Sequence, residues 1–162
     1  MAGLCTGKVA LVTGSGSSIG RATALAFSRE GAKVVVADLL EAEGRQVVAA
    51  ITAADGEARF VRLDVTSEED WQEVVGTTVA AVGNLNILVN NAGISGSFDP
   101  DLMSTAAWDR LMAVNAKGVF LGMKYAIPAM QKAGGGAIVN ISSISGFAGQ
   151  DYVHMAYNAS KG

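Results

Sequence analysis

The 162-residue sequence is poor in several residue types, and each scarcity excludes something. It contains one cysteine, Cys5, one histidine, His154, and two prolines. A single cysteine rules out an intrachain disulfide and a cysteine-based metal centre, and it fits a reducing compartment. A lone histidine lacks the partners for a Ser-His-Asp arrangement or a metal site. His154 is the obvious rival acid/base, but it reads as a loop residue lining a substrate pocket. No Lys/Arg run occurs and the formal net charge is −3, which argues against nucleic acid or an anionic membrane surface as the main partner. The Met1–Thr6 start has no basic region, and no apolar run approaches the roughly 20 residues needed to cross a bilayer. No signal peptide and no membrane span are therefore expected, and the expected location is the cytoplasm.

The abundant residues are apolar ones and glycine. Hydrophobic residues make up 50% of the chain and charged ones 17%, enough to bury a core in one compact domain. Twenty glycines beside two prolines suggest many tight turns joining uninterrupted elements, the punctuation of alternating α/β chains.

Taken in order, Lys8 to Thr13 reads as a short apolar strand, Gly14 to Gly20 as a Gly/Ser loop, and Arg21 to Arg29 as a helix. Lys33 to Ala37 is a second strand ending at Asp38, followed by an Ala-rich helix over Glu41 to Ala54. Glu57 to Leu63 gives a third strand. Thr66-Ser67-Glu68-Glu69 carries cap and dipole signals for a helix to about Val82, and Leu85 to Val89 forms a fourth strand. A long helical segment covers about Ser104 to Lys132, with Trp108, Leu111, Met112, Asn115, Val119, Met123 and Ile127 near one stripe. Ala137 to Ile141 is the fifth strand. Five apolar strands alternating with helices predict an α/β fold, a doubly wound parallel sheet with helices on both faces, binding its ligand beyond the carboxyl ends of the strands.

The polar clusters fall at those ends. The loop Thr13-Gly14-Ser15-Gly16-Ser17-Ser18-Ile19-Gly20 can bring backbone N–H groups and a helix start against a pyrophosphate, or be a simple turn; its spacing is not G-x-G-x-x-G. Asp38 can accept hydrogen bonds from both ribose hydroxyls and repel a 2′-phosphate, favouring NAD over NADP, or it can cap the next helix. Asp64 with Val65 can hold an adenine edge or form an ordinary turn. Asn90-Asn91-Ala92-Gly93 offers amides and small residues beside a cofactor, or an Asn/Gly turn. Asn115 lies on an apolar stripe, where an unpaired amide costs about 1–3 kcal/mol, so something must satisfy it. Ser143 can donate to a substrate oxygen or cap a turn.

Tyr157-Asn158-Ala159-Ser160-Lys161 supplies a proton-transfer group and a cation. On a helix, residues four apart share a face, so the Lys161 ammonium can stand close to the Tyr157 phenol. A phenol ordinarily titrates near ~10, and a neighbouring cation in a partly desolvated pocket favours its ionised form. A chance surface pair at the same spacing is the plain alternative.

Thr13 to Gly20, Asp38, Asn90 to Gly93, Asn115, Ser143 and Tyr157 to Lys161, in that order, closely resemble the short-chain dehydrogenase/reductase family across the whole chain. The resemblance implies that Tyr157 exchanges the hydroxyl proton as hydride moves between substrate carbon and NAD. Lys161 would lower the phenol's pKa and hold the nicotinamide ribose. Ser143 would orient the substrate oxygen, and Asn115 would anchor a water relaying protons from Lys161. It further implies a small or medium secondary alcohol or ketone as substrate, and tetramers packed through the long helix and the Tyr-bearing helix, with apolar residues from Met123 to Met130 partly interfacial. A 3-oxoacyl thioester reductase is the alternative enzyme, disfavoured by Asp38.

The sequence departs from the family in two places. The family loop reads T-G-x-x-x-G-x-G, and its middle glycine is here Ser18, which would be strained if that position needs positive φ. Similar proteins also continue well beyond the position of Lys161. Residues 1–162 are thus expected to be a single dinucleotide-binding domain truncated after the Tyr-x-x-x-Lys motif, with an exposed edge on the fifth strand; a non-catalytic fragment is the corresponding alternative.

Overall fold

The computed structural model describes residues 3–97 and 99–162. Five parallel strands, β1 (Val9–Thr13), β2 (Lys33–Asp38), β3 (Ala58–Arg62), β4 (Ile87–Asn90) and β5 (Ala137–Asn140), form one sheet in the order β3-β2-β1-β4-β5. Each falls within a residue or two of its predicted bounds. The helices are α1 (Ser18–Arg29), α2 (Glu41–Thr52), α3 (Glu68–Val82), α4 (Thr105–Met112), α5 (Gly118–Lys132) and α6 (Met155–Lys161).

Strand alternation divides the core in two. Val9 and Leu11 of β1 and Val35 and Ala37 of β2 pack on one face with Trp71 and Val74 of α3 and Leu121 and Met130 of α5. Ala10, Val34 and Val36 pack on the other face with Ala24 of α1 and Val47 and Ile51 of α2. The chain runs outward from β1 to β3 and then returns to place β4 on the other side of β1, so the strand order reverses between β1 and β4. The loops that follow those two strands diverge there and open a crevice. β5 is last in the strand order, beside β4, and its Val139 is 46% exposed.

The predicted long helix is continuous but not uniformly α. A π-helical turn, Ala113–Lys117, joins α4 to α5. The buried positions along the long helix are Ala107, Leu111, Asn115, Gly118, Leu121, Gly122, Ala126 and Met130. The expected stripe is corrected accordingly: Trp108 and Ile127 are exposed at 41% and 40%, and Met130 belongs to the core. α3 begins as read, with Ser67 as N-cap accepting from the Asp70 amide at 3.1 Å while Asp70 accepts the Ser67 hydroxyl at 2.8 Å. No helix among the described residues is long and apolar enough to cross a membrane.

Candidate active site

The crevice between the β1 and β4 loops is a cleft of about 580 Å³, and Gly14, Ser17, Ser18, Ile19, Gly20, Asp38, Asp64, Val65, Asn91, Ala92 and Gly93 all line it. Its two central walls are bolted together by side chains. The Thr13 hydroxyl accepts from the amides of Asn91 and Ala92, each at 3.0 Å, and the Asn91 side-chain amide donates to the carbonyls of Thr13 and Gly14 at 2.9 and 3.1 Å. Ser15 is fully buried, its hydroxyl donating to the Val12 carbonyl at 2.8 Å and accepting from the Ala37 amide at 3.0 Å. A side chain at position 20 would place its Cβ 2.1 Å from the Gly14 oxygen, so only glycine lets α1 start this close to β1.

The serine that replaces the family's middle glycine sits in the left-handed region: Ser18 has φ +47°. It is the first residue of α1, and the preceding Ser17 makes no side-chain cap bond. The first-turn amides of α1 are left without a side-chain acceptor at the floor of the cleft, an arrangement suited to an anion.

Asp38 does not cap α2, whose N-cap is Leu40 with no side-chain cap bond; it closes the turn before that helix and keeps capacity for more. Its Oδ2 accepts from the Gly16 amide at 2.7 Å and its Oδ1 from the Leu40 amide at 3.0 Å. A carboxylate offers about four lone-pair sites, so roughly two remain for ligand hydroxyls. Asp64 likewise closes a turn, accepting the Thr66 amide and hydroxyl at 2.9 and 2.8 Å. Its own amide donates to Asp70 at 2.9 Å, and this bond is the first cause holding the Asp70 carboxyl below its ordinary range. The exposed apolar side chains of Ile19, Leu39 and Leu40 also border the cleft. The residues after Asp38 went unread as lining because apolar character in sequence signals core first.

At the inner end, Asn115 is 4% exposed and completely paired. Its Oδ1 accepts from the Ile94 amide at 2.9 Å, and its Nδ2 donates to the Ile94 carbonyl at 2.8 Å and to the Ser160 hydroxyl at 3.0 Å. The π turn aims it at both the β4 loop and α6. On α6, Tyr157 and Lys161 share a face, with the Lys161 Nζ 5.8 Å from the Tyr157 ring centre. That Nζ donates to the Ile141 carbonyl at 2.8 Å, and burial pushes the ammonium's pKa down. A Cβ on Gly93 would lie 3.6 Å from the same nitrogen, so Lys161 stands at the Gly93 end of the cleft. Ser143 lies after β5 and accepts from the Ser145 amide at 3.2 Å, the cap role weighed for it.

His154 is the clearest departure from the sequence reading. It is 1% exposed rather than lining a pocket, and it caps α6 through Nδ1. Its position three residues before Tyr157, at the start of a helix, was the available signal.

The group the fold would hold is a dinucleotide, and the residues fit one. An uncapped helix start lies between a carboxylate with spare acceptor sites and an inner end bearing a cation, across a cleft of suitable volume.

The short chain dehydrogenase family profile matches residues 8–162. The chain is 47% identical over 148 residues to the 2,5-dichloro-2,5-cyclohexadiene-1,4-diol dehydrogenase of Sphingobium indicum, covering 90% of this chain and 58% of that protein. It is 44% identical over 161 residues to the 3-alpha-(or 20-beta)-hydroxysteroid dehydrogenase of Mycobacterium tuberculosis, covering 99% and 60% respectively. A solved 7 alpha-hydroxysteroid dehydrogenase, complexed with NADH and 7-oxo glycochenodeoxycholic acid, superposes with a TM-score of 0.88 at 34% identity, over 97% of this chain and 61% of the other. The chain thus spans about 60% of the length of these relatives. By the match over nearly all its residues, the chain belongs to the short-chain dehydrogenase/reductase family.

Proposed function

We propose that this chain carries the dinucleotide-binding and proton-transfer part of an NAD-dependent oxidoreductase acting on a secondary alcohol or ketone. The observation that carries the reading is the placement of Lys161, with Tyr157 on the same face of α6, at the Gly93 end of a cleft whose other end is Asp38.

In this reading the first-turn amides of α1, at Ser18 to Gly20, receive the pyrophosphate. Asp38 accepts the adenosine ribose hydroxyls and repels a 2′-phosphate, the basis for preferring NAD. Asp64 and Val65 border the adenine, and Asn91, Ala92 and Gly93 form the inner wall. Hydride is supplied or accepted by the nicotinamide when the cofactor is bound. Tyr157 transfers the hydroxyl proton, Lys161 favours the ionised phenol and contacts the nicotinamide ribose, and Ser143 orients the substrate oxygen. For Ser143 that means turning its hydroxyl hydrogen toward the substrate while its oxygen still accepts from Ser145. Asn115 holds α6 against the β4 loop through Ser160 and Ile94, so its contribution is positional, and a proton-relaying water near Lys161 completes the set.

Two relatives are named for oxidising hydroxyls on rings, a cyclohexadiene diol and a steroid, which supports a cyclic secondary alcohol as the substrate class here. The exposed Trp108, Phe120 and Ile127 along α4 and α5 support a homo-oligomer, a tetramer, built on that face. A cytoplasmic location fits the lone cysteine.

The test is a titration of the protein with NADH and NADPH, followed by turnover assays with cyclic alcohols. At least tenfold tighter NADH binding is expected, with the preference shrinking in Asp38→Ala. NADPH binding alone overturns the Asp38 assignment, and cofactor binding without turnover of any secondary alcohol favours a binding fragment.

A further inference from the structure

His154 is the only ionisable side chain buried among the described residues, and nothing in the reaction scheme above uses it. It is the N-cap of α6, three residues before Tyr157. Its Nδ1 accepts from the Ala156 amide at 3.1 Å, and its Nε2 lies 3.1 Å from the carbonyl oxygen of Ser104, itself the N-cap of α4. The β4 loop also closes on it: a Cβ at Gly96 would fall 2.8 Å from the His154 Cβ. One imidazole therefore joins the starts of two helices and a loop adjoining the cleft.

These partners fix its protonation state. The Ala156 N–H can only donate, so Nδ1 bears no hydrogen; the Ser104 carbonyl can only accept, so Nε2 bears one. Only the neutral Nε2–H form makes both bonds. The other neutral form and the imidazolium each set a hydrogen on Nδ1 against the Ala156 N–H. The ionisable groups of the packed segments are Asp99 and Asp101, leading into α4, Asp109 and Arg110 on it, Lys117 in the π turn, and Asp151, Tyr152, Tyr157 and Lys161 on and before α6. Asp99 is paired with Arg110 at 2.9 Å, and none of these groups hydrogen-bonds His154 among the described residues.

We propose that His154 is a positioning residue: as a neutral imidazole protonated on Nε2, it sets the height and rotation of α6 against α4, and so where Tyr157 and Lys161 meet the substrate. The inference rests on the oxidoreductase reading of those two residues. The cap through Nδ1 and the bridge from Nε2 to the Ser104 carbonyl are the contacts that fix the start of α6 against α4.

The test compares His154→Phe, which keeps a flat aromatic ring and loses both hydrogen bonds, with His154→Asn, whose Oδ1 takes the place of Nδ1 as cap. In the full chain, His154→Phe should lower kcat about 10²-fold, the scale of a roughly 1 Å misplacement, with KM for NADH changing far less because Asp38 and the α1 start lie on other elements and only the Lys161 contact to the cofactor moves with α6. His154→Asn should recover most of that loss. A ¹⁵N histidine NMR spectrum at neutral pH, assigned by the signal missing in His154→Asn, should show the proton on Nε2. An unchanged kcat in folded His154→Phe, a His154→Asn no better than His154→Phe, or a proton on Nδ1 overturns the proposal. If His154→Phe does not fold, His154→Gln, which keeps a donor toward Ser104 and loses the cap, takes its place in the comparison. Absence of turnover in the unmodified protein is a failure of the oxidoreductase reading instead. Amide exchange over Tyr157 to Lys161 then decides: faster exchange in His154→Phe, restored in His154→Asn, upholds the positioning role, and equal rates end it.

Discussion

Lys161 donates from Nζ to the backbone carbonyl of Ile141 at 2.8 Å. The carbonyl lies one residue beyond β5, so the cation is fixed to the sheet and is not merely trailing along α6. An ammonium has three donors, and this bond occupies one. The remaining two are free to serve the Tyr157 side of the site, where the ring centre lies 5.8 Å away.

Removing the phenol oxygen tests the proton-transfer assignment without disturbing the fold. Tyr157 is half-buried, and its hydroxyl makes no hydrogen bond among the described residues. Tyr157→Phe should therefore leave thermal stability and NADH affinity unchanged while turnover falls about 10²–10⁴-fold, the usual share of a general acid/base. Steady-state kinetics and a fluorescence titration of NADH check the two halves.

Burial lowers the Lys161 pKa, so the folded state holds this proton less tightly than the unfolded state does. Between the lowered folded value and the ordinary lysine value near ~10.4, the unfolded chain binds more protons, and stability attributable to this group rises with pH. Lys161→Met should be more stable than the parent at neutral pH, and the gap should narrow as pH climbs through that window. Urea midpoints for both proteins at a series of alkaline pH values provide the measurement.

Ser18 at φ +47° holds a conformation that costs an L-residue about 1–2 kcal/mol. Glycine removes that strain but adds about 0.4–1 kcal/mol of unfolded-state entropy. Ser18→Gly should thus be more stable by about 0.5–1 kcal/mol, and should bind NADH at least as tightly because the helix start relaxes. A urea midpoint at or below that of the parent contradicts the strain argument.

Position 20 behaves in the opposite sense. In Gly20→Ala the new methyl meets the Gly14 oxygen at 2.1 Å and the Asn91 Nδ2 at 2.6 Å, and both are held by the Thr13–Asn91 bolt. The expected cost is about 2–4 kcal/mol, together with loss of cofactor binding. Calorimetric melting and an NADH titration check it.

Asp70 ties the α3 cap to the Asp64 loop, and its folded pKa is depressed by the Asp64 amide first and the Ser67 hydroxyl second. The stability it contributes is present above the ordinary carboxylate pKa and disappears as pH falls through the depressed one. Asp70→Asn should lower stability near pH 7 and flatten the acid side of the stability profile, as followed by melting temperature between neutral and acid pH.

The strands and most helices could be read because their signals are local. Val34 to Ala37 is an unbroken apolar run, and Ser67 followed by Glu68 and Glu69 marks a helix start. The strain at Ser18 was legible too, since a serine in a glycine's place poses a question about one residue's φ. What could not be read was the phase of the face after Asn115. The expected stripe advances four residues a step past Asn115, more than the 3.6-residue period of the helix, and so drifts onto Ile127 and misses Ala126 and Met130. The burial of His154 was equally hidden, because it depends on a carbonyl 50 residues away.

The sequence by itself determined the alternation of elements, the residues at the strand ends and the pairing of Tyr157 with Lys161 on one helical face, all consequences of backbone periodicity. Tertiary structure alone decided how those ends are engaged. Thr13 and Asn91 are 78 residues apart and meet only because β1 and β4 lie side by side in the sheet. Asp38, Ser143 and Asn115 offer acceptors and donors that many geometries could satisfy. Which partners they take is set by the loops that the sheet order brings together, a long-range outcome that local spacing does not encode.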